Sequence, residues 1–201
     1  MKIIALSGRA RHGKDTAANH LKECLEAHGK TVLITHYADL LKYICVAFFG
    51  WDGAKDEYGR SLLQHIGTDI VRKKHPDFWV DFITNILTLF DNEWDYVIIG
   101  DARFPNEISK LREAGFDVTH ARITRTDFES PLTEEQQSHS SEMALDAYPG
   151  DVWLTNDTLE NFKTEIKLFS SYLIHRDSPV VKKDELPHQF TIFDSLDKES
   201  V

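Results

Sequence analysis

An α/β fold built on a parallel sheet is what this 201-residue sequence predicts, and three observations carry the expectation. Five short apolar runs of strand length alternate with stretches of helical periodicity, the pattern of strands joined by crossover helices. The first run ends in a glycine turn that opens directly into a helix. The alternation breaks once, between the second and third runs, where residues 38 to 94 carry helical patterning only.

The elements follow in order. "KIIALS" (2 to 7) is apolar and bounded by Gly8, as a buried strand should be. Residues 14 to 28 read as a helix: Ala17, Ala18, Leu21 and Leu25 share one face, and Gly29 is placed to stop it. "TVLITHY" (31 to 37) is the second strand and "DYVIIGD" (95 to 101) the third. "DVTHARI" (117 to 123) and "DVWLTN" (151 to 156) are the fourth and fifth. "NEISKLREAG" (106 to 115) is a helix closed by glycine, and the last helix starts near Asp157 or Thr158, where Asp157 and Glu160 have capping-box spacing. The helical insertion contains "DLLKYICVAFFG", "GRSLLQHIGTDIVRK" and "DFWVDFITNILTLF". Domain organisation is thus one domain over 1 to 175, with an inserted lobe at 38 to 94 and a polar, irregular tail at 176 to 201. There is no internal repeat.

Composition narrows the function. Hydrophobic residues make up 41% of the chain, enough for a real core. The net charge of −10 argues against broad binding to nucleic acid or to an anionic membrane, both of which call for basic surface. No apolar run approaches the ~18 residues of a membrane span. Cys24 and Cys45 fit no metal or redox spacing and read as free thiols in a reducing cytoplasm. The ten histidines are scattered, without ligand spacing.

Against that acidic background the stretch Gly8-Arg9-Ala10-Arg11-His12-Gly13-Lys14 stands out. It follows a strand and begins a helix, which is the context a phosphate-binding loop requires. Glycines let the backbone curl so that successive N–H groups face phosphate oxygens, and the helix N-terminus adds partial positive charge. Lys14 would reach the outer phosphates. The place directly after the lysine, where such loops put a Mg²⁺-binding hydroxyl, holds Asp15, with Thr16 next. A carboxylate is a good Mg²⁺ ligand, directly or through water. Asp15 is therefore a metal candidate, as is Thr16; the alternative is a favourable acid in a first helical turn. Arg9, Arg11 and His12 read as anion contacts.

"YVIIGDARFPNE" puts Asp101 at the end of a buried strand, either beside a metal or as a helix cap, and aims Arg103 off the carboxyl edge of the sheet, where open α/β sheets bind ligands. With these pieces in place the sequence resembles the bacteriophage deoxynucleoside monophosphate kinases of the P-loop kinase superfamily. Matching stretches run in order over residues 2 to 170: "GRARHGKDTAA", "YADLLK", "GRSLLQHIGTDIVR", "DFWVD", "GDARFPNEISKLREAG" and "HSSE".

The resemblance implies a P-loop kinase fold with three parts: a five-stranded sheet carrying the ATP loop, an inserted helical lobe for the monophosphate, and a short lid at 124 to 142. It implies transfer of the ATP γ-phosphoryl group to a nucleoside 5′-monophosphate, with Mg²⁺, in the cytoplasm (the host's, if phage-encoded). A homodimer is left open. On the acceptor side it places Arg60, Gln64 and Arg103 first, then Asp39, Lys42, Arg72, Glu107, His139 and Glu142. Trp79 would stack on a base or fill the core. Lys14, Arg103, Arg122 and Arg125 would serve transfer, the last two at the base of a lid expected to be mobile when empty. Asn156, Asp157 and Thr158 follow the fifth strand, where adenine is often touched, or cap the last helix. Other readings from the residues are a P-loop kinase of another small metabolite and a nucleotide-binding regulator without transfer.

Overall fold

A computed structural model describes residues 1–54 and 56–176; the expected tail, apart from Arg176, lies outside the described residues. Five strands, β1 (Lys2–Ser7), β2 (Val32–Thr35), β3 (Tyr96–Ala102), β4 (Asp117–Arg125) and β5 (Val152–Asn156), form one parallel sheet in the order β2-β3-β1-β4-β5. Every expected strand is present. β2 is shorter than expected at both ends, and β4 is longer, pairing with β5 out to Arg125↔Asn156, two residues into the expected lid.

Period-two alternation builds a core on both sheet faces. On β1, Ile3 and Ala5 face one side while Ile4 and Leu6 face the other. The Ile4/Leu6 face is covered by α1 (Lys14–Glu26), through Ala17, Ala18, Leu21 and Leu25, and by α8 (Leu159–His175), through Phe162, Ile166, Phe169 and Leu173. Burying each of those phenylalanines contributes about 1.5–3 kcal/mol. The Ile3/Ala5 face is covered by α2 (Ala38–Phe49), α4 (Phe78–Leu89) and α5 (Asn106–Glu113).

Between β2 and β3 the chain is helical, as its patterning predicts. One feature there departs from an ordinary helix. α3 (Glu57–Gln64) runs without a break into a π-helical segment, His65–Arg72. Its wider turn lets the Trp79 indole donate to the Gly67 carbonyl at 3.0 Å. After β4 come two short helices, α6 (Glu134–Ser138) and α7 (Ser140–Met143). The last helix is capped by Thr158, whose hydroxyl accepts from the Asn161 amide, so Thr158 rather than Asp157 is the cap.

Candidate active site

The carboxyl ends of the strands open into a cavity of about 980 Å³, at the edge where open α/β sheets place ligands. One wall is the loop 8–13. Its backbone is left-handed at Gly8 (φ 148°), Arg11 (φ 60°) and Gly13 (φ 103°). The glycines are needed for space as well as for dihedral angle. A Cβ on Gly8 would sit 2.5 Å from the Ile123 carbonyl oxygen, and one on Gly13 would sit 2.7 Å from Asn156 Nδ2 and 3.1 Å from Phe162. The core side chain Phe162 thus forms the floor against which the loop curls.

Lys14 begins α1 and is 9% exposed. Its ammonium folds back to donate to the Gly8 and Arg9 carbonyls at 2.7 and 3.0 Å. Burial, reinforced by the nearby Arg103 charge, lowers its pKa to about 8. Burial also pulls His12 below the ordinary imidazole value. Asn156 donates to the His12 carbonyl at 3.0 Å, so it braces the loop as well as lining the cavity.

The opposite wall comes from the helical insertion: Arg60 and Gln64 on α3, Gly67, Thr68 and Arg72 on the π-helical segment, and the edge of Trp79. Trp79 is itself a core side chain. Arg72 is gripped on three sides. It donates to Glu107 at 2.5 Å and to the Pro76 carbonyl and Asn106 Oδ1 at 3.2 Å, and its guanidinium lies 3.9 Å above the Phe104 ring. Glu107 is 2% exposed and has both oxygens engaged, the second by the amides of Arg103 and Phe104. Burial raises its carboxyl to about 7, opposed by the Arg72 charge. Glu107, expected to meet substrate, lines the cavity and is at the same time a buried brace that holds Arg72 and shapes the Arg103 turn.

Between the walls, Arg103 donates to the Glu142 carboxylate and, at 3.0 Å, to the Ser141 carbonyl. Glu142, 6% exposed in its side chain, also accepts the Ala10 amide at 2.9 Å. Glu142, the last residue of the expected lid, thus ties the end of that segment to the phosphate loop.

Of the expected residues, Ala10, Arg11, Gly13, Lys14, Asp15, Thr16, Lys42, Arg60, Gln64, Arg72, Trp79, Asp101, Arg103, Glu107, Arg125, Glu142, Asn156 and Asp157 line the cavity. Arg9 and His12 line a neighbouring hollow of about 350 Å³ with Arg125 and Phe128. Gly8 shapes the loop from behind. Four more expected residues line neither hollow. Arg122 donates to the Leu145 carbonyl and to Asp146, which tether it to the loop after α7. Asp39 accepts from the His36 amide and pairs with Lys42 at the start of α2. His139 caps α7 through Ser141 and lies 3.7 Å from Asp69. Thr158 caps α8. Asp101 lines the cavity, but its two oxygens accept the Tyr37 and Ala38 amides at 2.8 and 3.0 Å; it is at least the cap of α2. Sequence reasoning missed Thr68, His36 and Leu41 as lining residues.

The donor set fits a Mg²⁺ ion brought in with nucleotide phosphates. Among the described residues no group of three or more His, Cys, Asp or Glu side chains is gathered as a metal centre. Asp15 and Thr16, however, are exposed at the cavity rim beside Lys14, and Mg²⁺ typically takes one or two carboxylates with waters and phosphate oxygens. Among the described residues no helix is long and apolar enough to cross a membrane.

Comparison with known proteins agrees with this geometry. A solved sugar kinase from Janibacter sp. HTCC2649 has the same fold at a TM-score of 0.50, with 14% identity, 82% of this chain and 91% of that one covered. The deoxynucleotide monophosphate kinase of Enterobacteria phage T4 is 33% identical over 111 residues, covering 54% of this chain; the chain spans 43% of that relative's length. A protein of Acanthamoeba polyphaga mimivirus, provisionally named for the same activity, is 28% identical over 194 residues, 83% of this chain and 94% of its own length. The sequence profile of the deoxynucleotide monophosphate kinases matches residues 50–166, from the helical wall through Arg103 and Glu142 into the last helix, and the chain belongs to that family.

Proposed function

We propose that this protein is an ATP-dependent deoxynucleoside monophosphate kinase, moving the γ-phosphoryl group of ATP to the 5′-phosphate of the acceptor to give the diphosphate. The observation that supports this most directly is the pairing of a phosphate loop with a facing helical wall across one cavity of about 980 Å³. That is room for two nucleotides end to end, and a switch that only bound one would need no second wall.

The chemistry matches the residues present. An acceptor phosphate with a second pKa near ~6 is already largely a dianion at neutral pH, so no general base is required. The protein's task is to neutralise and align two polyanions. The loop amides and Lys14 hold the donor phosphates, with the adenine toward Asn156 and Asp157. Arg72, braced by Glu107, and Arg103 receive the acceptor phosphate. Arg125, exposed at the end of β4, is the lid arginine left to reach the transferring group. Mg²⁺, held by Asp15 directly or through water with Thr16 beside it, would supply charge neutralisation on the donor phosphates. The free cysteines Cys24 and Cys45 suit work in a reducing cytoplasm, the host's if the gene is a phage's.

A coupled assay of ADP release against a panel of deoxy- and ribonucleoside monophosphates and hydroxylated metabolites tests the proposal. Turnover with one or more monophosphates is expected. Turnover confined to another metabolite, or nucleotide binding with no transfer to any acceptor, would overturn it.

A further inference from the structure

The wall facing the phosphate loop has a regularity that an ordinary helix could not produce. Arg60, Gln64, Thr68 and Arg72 stand four residues apart and all line the cavity. On a helix of 3.6 residues per turn each step of four drifts by about 40°, so three steps would carry Arg72 about 120° away from the face of Arg60. Here only the first step is α-helical. The next two run through the π-helical segment His65–Arg72, whose i→i+5 bonds take more than four residues per turn. Each step of four there falls short of a full turn, and the drift reverses. The π segment therefore keeps four side chains in one column.

The middle of that column is chemically uncommitted. Gln64 and Thr68 are half-buried, and among the described residues neither side chain donates or accepts a hydrogen bond. At one end Arg72 is fixed to Glu107 and lies over Phe104, next to the Arg103 turn where phosphates meet; its buried Nε also has no partner. One helical turn outward from Arg72, on the order of 5 Å, is Thr68. A second turn outward is Gln64. That is the order of a nucleotide read from its 5′-phosphate: phosphate, sugar, base.

We propose that Thr68 is a specificity-determining residue whose hydroxyl hydrogen-bonds the 3′-hydroxyl of the acceptor's sugar, and that the π-helical turn exists to put it there. The proposal rests on the acceptor being a nucleoside monophosphate. A threonine hydroxyl both donates and accepts, which is what a lone sugar hydroxyl needs.

The test compares wild type, Thr68→Val and Thr68→Ser on three acceptor classes: 2′-deoxynucleoside, 2′,3′-dideoxynucleoside and ribonucleoside monophosphates. Thr68→Val keeps the shape and removes the hydroxyl. It should lower kcat/KM for the deoxynucleotides about ten-fold, the loss of one hydrogen bond, and equally across bases. For the dideoxynucleotides, which lack the partner, the change should be under about three-fold. KM for ATP should not move, and Thr68→Ser should restore the deoxynucleotide rate. An equal loss on deoxy and dideoxy acceptors, a loss confined to particular bases, or no loss would each overturn the assignment while leaving a wild-type kinase in place. A wild type that phosphorylates no monophosphate would overturn the function and this inference together.

Discussion

The carboxylate of Glu142 reaches from α7 to the backbone amide of Ala10 and accepts its hydrogen at 2.9 Å, while its other oxygen pairs with Arg103. A carboxylate therefore stands on a phosphate-loop amide, close enough to Lys14 to oppose that lysine's lowered pKa. It is an anion in an anion site, and a nucleotide phosphate arriving there must move it aside. Glu142→Gln removes the charge and keeps the size. ATP should then bind about three- to ten-fold more tightly in calorimetry, and amides of 134–143 should exchange faster in the ligand-free protein because the clamp on the loop is weaker. Weaker ATP binding in the variant would mean that Glu142 works as a ligand and not as an occupant.

The buried ammonium of Lys14 gives a pH signature. Its pKa in the folded, ligand-free protein is about 8, against 10.5 for the ordinary side chain. Phosphate oxygens favour the charged form and would raise it again. Binding of ATP should therefore take up a proton at pH values above about 8, and affinity should fall as pH rises from there toward 10. The sign for stability is the reverse: the unfolded lysine holds its proton up to 10.5, so between 8 and 10.5 the unfolded state binds more protons and this group's contribution to stability rises with pH. Calorimetry in two buffers of different ionisation enthalpy at pH 8.5 measures the uptake. Lys14→Ala should abolish it and cut kcat/KM by on the order of 10²-fold.

The strands and the phosphate loop were legible in the sequence because their signals are local. Alternation on β1 and the spacing from Gly8 to Lys14 need no knowledge of the rest of the chain. What local signals leave open is of two other kinds. Asp101 reads as a metal neighbour or a helix cap, and the Tyr37 and Ala38 amides it caps are more than sixty residues away, beyond any local pattern. The sequence sets Arg122 and Arg125 together at the base of the lid, with the fourth strand ending at 123. The strand continues to Arg125, and side chains three apart on a strand point to opposite faces. Arg122 accordingly goes to Asp146 and Arg125 to the phosphate-loop side. The π-helical turn was invisible, since a run such as "QHIGTDIVR" states helix and not the number of residues per turn.

Those contacts separate two acids that the sequence alone treats alike. Asp15→Asn should raise the Mg²⁺ concentration needed for half-maximal activity several-fold and leave the melting temperature near that of wild type, because Asp15 is exposed and its carboxylate accepts no hydrogen bond among the described residues. Asp101→Asn should lower the melting temperature, since the amide nitrogen that replaces one oxygen cannot accept and leaves the Tyr37 or Ala38 amide unpaired, at about 1–3 kcal/mol, with the Mg²⁺ requirement little changed. A Mg²⁺ titration moved by Asp101→Asn and not by Asp15→Asn would exchange the two roles.

The remaining question is which arginine meets the transferring group. Arg125 ends β4, is exposed, and has its guanidinium 4.6 Å from the centre of the Phe128 ring. Its backbone amide donates to His12 Nδ1 at 3.3 Å, which ties its base to the phosphate loop, and it lines both the main cavity and the smaller hollow. No carboxylate holds it among the described ion pairs, whereas Arg122 is held by Asp146. A guanidinium stacked on a half-buried ring and without an ion partner among the described residues can swing to a new anion at small cost. The charge of a transferring phosphoryl group is spread over its equatorial oxygens, and an arginine reaching it when the lid closes over donor and acceptor acts most strongly in the transition state. Loss of that contact should fall on kcat rather than on KM. Arg125→Ala should therefore lower kcat by roughly 10²-fold, with KM for both substrates moving only a few-fold. Arg122→Ala should instead lower the melting temperature and change kcat much less, because it anchors the loop after α7 and does not line the cavity. Should Arg125→Ala act only through KM, or Arg122→Ala prove the more damaging to kcat, the arginine closing on the reaction is not Arg125.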